Sequence, residues 1–575
     1  MGWRSTCWID GRDRAEWVAG RQDQRIVLRR GHDVSCPYPL SLALTSSGAR
    51  VLIDKQVFQF YPQRETFVAC ISYKPPEGIS LNLKLQFSSR IAAALLLAAT
   101  VCCICAGQQV SGGTGTGSDK AQKIDELMGL YAKYGSFNGS VLVSEHGQVI
   151  FKKGYGLANM EWQIANQPDT KFRLGSITKQ FTSMLIMQLV AEGKLHVEDK
   201  LSDVLPYYRK DTGSQVTLQH LLTHTSGIPS YTSAKDLREW WRNHFEVEDF
   251  VKKHCSGDLE FTPGSKFEYD NSGYFLLGAI VEKVTGKKYE EVLQERIFKP
   301  LGMRNSGYDH SEPLMEHRAA GYEHGKDGFV NAEYLDMSIP YAAGSLYSTV
   351  EDLYLWDQAL YTEKLLSNEL KAKMWTPALS NYAYGWGVAK IPEGKAGAGQ
   401  TLIQHGGGIN GFNTHEARYV DEKHLVVLLN NTGGTKLEQM TEGIAAILYG
   451  KPYELPKPSL TAELVKLATE KGGDAAVGEY RRRKKESPDK YDFSEAGLQE
   501  VAILLFQSQK LPEAIALLRL NTEEHPKSSQ AFFFLGFILM QAGNKGEAAT
   551  ALEKALELDP KNDRAAGLLK TAKEK

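Results

Sequence analysis

Phe172-Arg-Leu-Gly-Ser-Ile-Thr-Lys179-Gln-Phe-Thr182 is the stretch that decides how this chain reads. Ser176 stands where a helix is expected to begin, over 176–192, with Phe181, Met184, Leu185 and Leu189 on one apolar face. Lys179 follows three positions later, and residues three apart share a helix face, so its amine can reach the serine hydroxyl. A serine needs a base to become a nucleophile, and a lysine serves when burial holds it neutral. The N-terminal end of the helix also favours the negative charge that develops on attack. The spacing recurs once, at Ser487-Pro-Asp-Lys490. That copy lies in a charged segment with no apolar helix behind it and reads as a solvated loop.

Two further clusters can join this pair. Tyr269-Asp-Asn271 precedes a helix expected over 273–286, ending at Gly286. Tyr269 can share the proton shuttling, and Asn271 can bind a substrate carbonyl or hold Lys179. The plainer reading is a packed tyrosine and a helix-capping asparagine. His405-Gly-Gly-Gly408, followed by Gly411-Phe412, is the other cluster. Glycines let backbone N–H groups approach a substrate, and one of them with the N–H of Ser176 can form an oxyanion hole. The plainer reading here is a tight turn between strands. An α/β-hydrolase is excluded, because the chain has no Gly-x-Ser-x-Gly.

Taken together, the order and surroundings of these clusters resemble the serine β-lactamase-related family, which includes class C β-lactamases, DD-peptidases and family esterases. The resemblance covers about 125–450. It extends to Leu221-Leu-Thr-His-Thr-Ser-Gly227, Pro300-Leu-Gly-Met303, Ala342-Ala-Gly-Ser-Leu-Tyr-Ser348 and Tyr384-Gly-Trp-Gly387. It implies that Ser176 is the acylated nucleophile and Lys179 its base. By the same resemblance Tyr269 relays protons, Asn271, His405 and Gly407 bind substrate, and the N–H groups of Ser176 and Gly408 hold the oxyanion. Two departures stand out. His405 occupies a place where many β-lactamases carry lysine, and a histidine is only partly charged near neutral pH. Asp270, inside the second cluster, is a carboxylate that either disfavours anionic substrates or points to solvent. His224-Thr-Ser-Gly227 reads as structural, with His224 a hydrogen-bonded interior group, and His415-Glu416 reads as the start of a strand.

The rest of the chain fits an α/β (α+β) class: an antiparallel sheet flanked by helices, of the β-lactamase/transpeptidase type, followed by an all-α helical repeat domain. Hairpins are expected over 140–156, turning at His146-Gly147, and over 416–431, with a closing helix over 436–449. Beyond 460 the sequence repeats with a spacing of 34: Glu513 and Glu547, Ala514 and Ala548, Leu518 and Leu552, Pro526 and Pro560. This pattern resembles the tetratricopeptide repeat. The domains expected are 1–85, unassigned and read as lying upstream of the true start; 86–107, an export signal; 108–122, a flexible linker; 123–450, the hydrolase; 451–460, a proline-rich linker; and 461–575, the repeats.

Residues 91–106, IAAALLLAATVCCICA, carry the signal reading, with Lys84 and Arg90 before them and small residues after. Sixteen helical residues reach only ~24 Å, short of a ~30 Å hydrocarbon core, so no stable membrane span is expected once the signal is removed. The 575 residues are 42% hydrophobic and 24% charged with net charge −2, which excludes a disordered chain and a basic field for nucleic acid. Fourteen histidines include no His-Glu-x-x-His pair, so neither a metal nor an organic cofactor is expected. The chain reads as an exported serine hydrolase, periplasmic or extracellular, forming an acyl-enzyme with a small D-amino-acid peptide, ester or β-lactam. Its helical tail would take a protein partner or pack on the catalytic domain. The competing reading is a non-catalytic protein of the same fold that binds peptide or cell-wall partners.

Overall fold

The structure is a computed structural model that describes residues 119–573 apart from 326 and 327, its first helix reaching back to Thr116. The stretch 1–85 and the signal-like segment 86–107 lie outside the described residues.

Six strands form the central sheet: β1 (Gly139–Glu145), β2 (Gln148–Tyr155), β3 (Gly387–Lys390), β4 (Thr401–Ile409), β5 (Phe412–Tyr419) and β6 (His424–Asn430). Their order is β3-β4-β5-β6-β1-β2, antiparallel throughout. The hairpin β1-β2 therefore adds to four strands that come more than 200 residues later, which closes the domain on itself. Side chains alternate faces along a strand, and here both faces are covered. Val141 and Val143 of β1, with Val426 and Leu428 of β6, pack on α1 (Thr116–Lys133). Leu142, Leu425, Val427 and Leu429 turn the other way, into the larger core around α2 (Thr178–Ala191) and α3 (Asn271–Thr285). Helix α4 (Val350–Leu360) joins that core through Leu353 and Trp356, and α5 (Leu437–Leu448) closes the α1 side.

The linker expected to run to 122 stops short of that, because its last residues already belong to α1. Ile124, Leu127 and Met128 are fully buried against the sheet, and Lys120 pairs with Glu145 of β1. Burial of that face favours helix where the Gly-Thr-rich composition suggested coil.

Helix α2 is enclosed on every side, not only on its apolar face. Several of its buried polar side chains find partners inside the protein. Gln180 Oε1 accepts from Trp356 Nε1 at 2.9 Å, and Thr182 Oγ1 donates to the carbonyl of Ala342 at 2.7 Å. Ser183 Oγ and Tyr274 OH bond at 3.1 Å. His415 and Glu416, expected to open a strand, lie in the middle of β5 and are buried. His415 Nδ1 meets Thr441 Oγ1 at 2.8 Å, and the carboxyl of Glu416 is pushed up to about 8 by burial. Beside them Arg418 donates to Asp357 at 2.7 Å, both side chains wholly buried.

After residue 460 come helix pairs: α6 (Thr461–Lys471) with α7 (Gly473–Glu486), α8 (Glu495–Gln507) with α9 (Leu511–Glu524), and α10 (Ser529–Gln541) with α11 (Lys545–Leu558). Helix α12 (Asp563–Lys573) covers the last pair through Ala565. The repeating small residues sit at the crossings, where Ala514 and Ala548 are fully buried. At Gly536 a Cβ would lie 2.6 Å from Leu552 Cγ, so only glycine allows that approach. Among the described residues no helix is long and apolar enough to cross a membrane.

Candidate active site

Ser176 lies in a 3₁₀ turn, Gly175–Ile177, that runs straight into α2. Gly175 adopts φ +55°, and a Cβ there would stand 2.9 Å from the amide nitrogen of Gly408. The turn is clamped from two sides. Leu174 N–H donates to the carbonyl of Leu346 at 2.8 Å, and its own carbonyl accepts from Thr414 Oγ1 of β5 at 2.7 Å. The Ser176 hydroxyl is thus fixed at a helix start and pressed against the β4 glycines.

Lys179 is fully buried one turn on. Its Nζ has three partners: Ser176 Oγ at 3.1 Å, Asn271 Oδ1 at 2.8 Å and the carbonyl of Ala343 at 3.0 Å. An ammonium donates to all three. A neutral amine has two N–H donors and one lone pair, and the asparagine and backbone oxygens can only accept. Ser176 is the single partner with a proton to give, so loss of a proton from Lys179 aims its lone pair at Ser176. Burial pushes the amine down to about 7, against the opposing charge of Asp270.

Tyr269 closes the group. Its ring centroid lies 4.8 Å from Lys179 Nζ, and its hydroxyl lies near Ser176. Burial of that hydroxyl raises the phenol above its ordinary value, although the residue keeps 38% of its surface exposed. A protonated phenol facing both serine and solvent can hand a proton outward.

Asp270 neither points to solvent nor faces substrate. It is buried and caps α3, with Oδ2 accepting from Gly273 N–H at 3.0 Å and from Ser226 Oγ at 3.3 Å. The cap is therefore Asp270 and not Asn271, and this frees the asparagine side chain for Lys179. Burial pushes the Asp270 carboxyl up to about 7. Its backbone N–H donates to His224 Nδ1 at 3.1 Å, which sets the proton of that imidazole on Nε2. His224 holds φ +55° and packs against Tyr269 at a tilt of 40°, with ring centroids 4.2 Å apart, so the interior histidine orients the phenol.

His405 is the clearest correction. The expected partial charge near neutral pH is absent, because burial first and Lys179 second push the ring down to about 3. Its Nδ1 is 2.6 Å from the carbonyl of Gly406, which can only accept, so Nδ1 carries the proton. Nε2 then accepts from Tyr382 OH at 2.9 Å. A neutral, doubly bonded imidazole offers no cation to a substrate carboxylate.

Gly407 is buried, and a Cβ on it would lie 1.9 Å from the carbonyl oxygen of Leu174. Its job is the close approach of β4 to the serine turn. Gly407→Ala is expected to destabilise the fold by roughly 3 kcal/mol or more, read by urea unfolding, since backbone cannot give way there. A cavity of about 170 Å³ opens beside Ser176, with Asn271 and Gly408 in its wall; Lys179, Tyr269, His405 and Gly407 are not in its lining.

Four of the predicted residues thus converge, Ser176, Lys179, Tyr269 and Asn271, with Gly408 against them. The other Ser-x-x-Lys pair does not: Ser487 and Lys490 lie in the turn between α7 and α8, with Lys490 exposed. The carbonyl of Ala343 is a lysine partner that the sequence does not reveal, although its segment, Ala342-Ala-Gly-Ser, belongs to the family-like stretches. It follows Tyr341 at φ +41° in a short helix, Tyr341–Gly344, and no side-chain pattern announces a backbone acceptor. Among the described residues one group, Glu145, His146 and His424, brings possible metal ligands within 4.8 Å. Glu145 is already paired with Lys120, and His424 Nδ1 accepts from His146 N–H at 3.1 Å.

The family model described as Beta-lactamase matches residues 121–449, and one described as Tetratricopeptide repeat matches 529–562. Penicillin-binding protein 4* of Bacillus subtilis (strain 168) is 31% identical over 365 residues, 59% of this chain and 79% of its own. Teichoic acid D-alanine hydrolase of Staphylococcus aureus (strain NCTC 8325 / PS 47) is 30% identical over 341 residues, 58% of this chain and 79% of its own. The structure of the octameric penicillin-binding protein homologue from Pyrococcus abyssi superposes with a TM-score of 0.51 at 29% identity, covering 60% of this chain and 81% of that one.

Proposed function

Because the chain belongs to the beta-lactamase family and is a serine hydrolase of it, we propose that it cleaves a small ester or amide through an acyl-enzyme on Ser176. Neutral Lys179 takes the hydroxyl proton as Ser176 Oγ bonds to the carbonyl carbon. The carbonyl electron pair moves to its oxygen, held by the N–H groups of Ser176 and Gly408. The bond to the leaving group breaks, and the proton follows it through Tyr269. Water then attacks the acyl-serine, giving up a proton by the same route in reverse.

The observation that carries this reading is the donor count at Lys179. With Asn271 Oδ1 and the Ala343 carbonyl as fixed acceptors, the lone pair has only Ser176 to face. Candidate substrates remain D-amino-acid peptides, small esters and β-lactams. The neutral His405 favours those that need no cation for a carboxylate. A fluorophosphonate label, read by intact mass and peptide mapping, is expected on Ser176 alone. Parallel assays on p-nitrophenyl acetate, nitrocefin and a D-Ala-D-Ala peptide would rank the three classes. No adduct from folded protein, together with no turnover, would leave the non-catalytic binder.

We also propose that the protein is exported. This rests on the apolar segment 91–106 and on likeness to a penicillin-binding protein and a teichoic acid D-alanine hydrolase. The repeats after 460 are read as a partner-binding surface. N-terminal sequencing of secreted protein should begin near residue 107, and an intact Met1 would reject the signal.

A further inference from the structure

The cavity beside Ser176 has a sidedness that bears on the substrate. Tyr269, the group able to deliver a proton to a departing atom, is not in its lining, and neither is His405. The leaving group must face Tyr269, so the cavity receives what stays bonded to Ser176. Asn271 and Gly408 mark its mouth at the serine.

Much of its lining is aromatic or aliphatic: Tyr231, Leu237, Trp241, Leu335, Ile339 and Pro340. Tyr231, Leu335 and Ile339 are themselves part of the main core, so this wall is rigid. The two sides are tied together, with Asp336 N–H donating to the carbonyl of Trp241 at 3.0 Å and Tyr231 N–H donating to Ser272 Oγ at 2.9 Å. None of the lining residues carries a charge. Arg238, whose guanidinium lies 5.4 Å from the Trp241 ring centroid, is outside the lining. Two of the polar side chains at the cavity are engaged elsewhere. Asn271 Oδ1 takes Lys179, its Nδ2 donates to Thr232 Oγ1 at 3.2 Å, and Asn410 Nδ2 donates to the carbonyl of Glu333 at 2.9 Å. A charged group entering here would lose its water and find no opposite charge in the lining.

The volume, about 170 Å³, exceeds the ~150 Å³ of an apolar protein cavity that takes up benzene. A methyl group would leave most of it unfilled. We propose that this cavity is an acyl pocket for an uncharged aromatic group of phenylacetyl size, and that the substrates are esters or amides of such acids and not acetyl or alanyl compounds. The inference rests on Ser176 being the nucleophile. In the step concerned, Ser176 Oγ bonds to the carbonyl carbon, the leaving atom departs with the serine proton, and the aromatic acyl group stays in the cavity until water releases it as the free acid.

The test compares p-nitrophenyl phenylacetate with p-nitrophenyl acetate on the full chain, each normalised to its spontaneous hydrolysis. Burial of a ring predicts a kcat/KM advantage of roughly tenfold or more for the phenylacetyl ester. A smaller advantage overturns the proposal. The 4-carboxyphenylacetyl ester should lose that advantage; if it retains it, the uncharged character is wrong. Ile339→Phe, which fills the cavity, should cut the ratio to about threefold or less, with fluorophosphonate labelling reporting that the site is still built. Leu335→Phe serves if the first variant does not label. A labelled variant that keeps the full preference places the ring elsewhere and overturns the assignment. These failures leave the hydrolase standing. No adduct at Ser176 and no hydrolysis of either ester would overturn the nucleophile and this pocket with it.

Discussion

Ser176→Ala is expected to lower ester turnover by roughly 10⁴-fold or more while moving the thermal midpoint by no more than about 3 °C. The two halves of that expectation have separate causes. Removing the hydroxyl leaves no atom to be acylated, and only the cavity and the oxyanion donors remain to assist water. Folding loses little, because Ser176 sits in a 3₁₀ turn whose backbone is held through Leu174, and its side chain bonds Lys179 at 3.1 Å. Lys179 keeps Asn271 and the Ala343 carbonyl in the variant. Loss of one hydrogen bond is worth about 1 kcal/mol. Retained turnover would mean another nucleophile. Ser487→Ala, made as a control in the second Ser-x-x-Lys, should change neither measurement.

Lys179→Met should lower kcat/KM by roughly 10³-fold or more, and the pH profile of the unaltered protein should show why. The base must be unprotonated, and burial pushes Lys179 down to about 7, so kcat/KM should rise with pH through that value. His405 is neutral down to about 3 and contributes no limb near it. Asp270 holds Lys179 partly back from its fall, so Asp270→Asn should move the limb to lower pH while keeping a side chain able to cap α3. A limb that stays in place in Asp270→Asn would deny the coupling. Stability carries the same signature. Between about 7 and the ordinary lysine value of 10.5 the unfolded chain binds the proton that the folded chain has lost. Stability from this group therefore rises with pH across that window and is lost as pH falls toward 7. Because buried tyrosines and carboxyls titrate with the opposite sign, the test is a difference: in urea unfolding the stability of the unaltered protein relative to Lys179→Met should rise between pH 7 and pH 10.

How far the site was legible follows from which interactions are local. Ser176 and Lys179 meet because three residues of helix bring them together, and that spacing is written in the chain. Tyr269 and Asn271 were readable as a pair next to a helix start, but the division of labour inside Tyr269-Asp-Asn271 was not. Either Asp270 or Asn271 is a good cap by type. The contact of Ser226 and Gly273 with Asp270 decided it, and that placed Asn271 on Lys179. His405 was misjudged because an imidazole's charge depends on what surrounds it, and the Tyr382 hydroxyl that occupies Nε2 comes from a segment 23 residues away. Gly407 looked like a binding residue and proved to be a spacer, since its neighbour is the carbonyl of Leu174.

The amino-acid sequence by itself determined the antiparallel hairpins, the meeting of Ser176 with Lys179 and the 34-residue helical repeat. Each of these is written in short-range periodicity, which local backbone geometry converts directly into structure. Only the tertiary structure decided the charge of Lys179, Asp270 and His405, the carbonyl of Ala343 as a lysine partner, and the sided apolar cavity at Ser176. Desolvation and shape are properties of atoms brought together from distant parts of the chain, and no local pattern of residues encodes them.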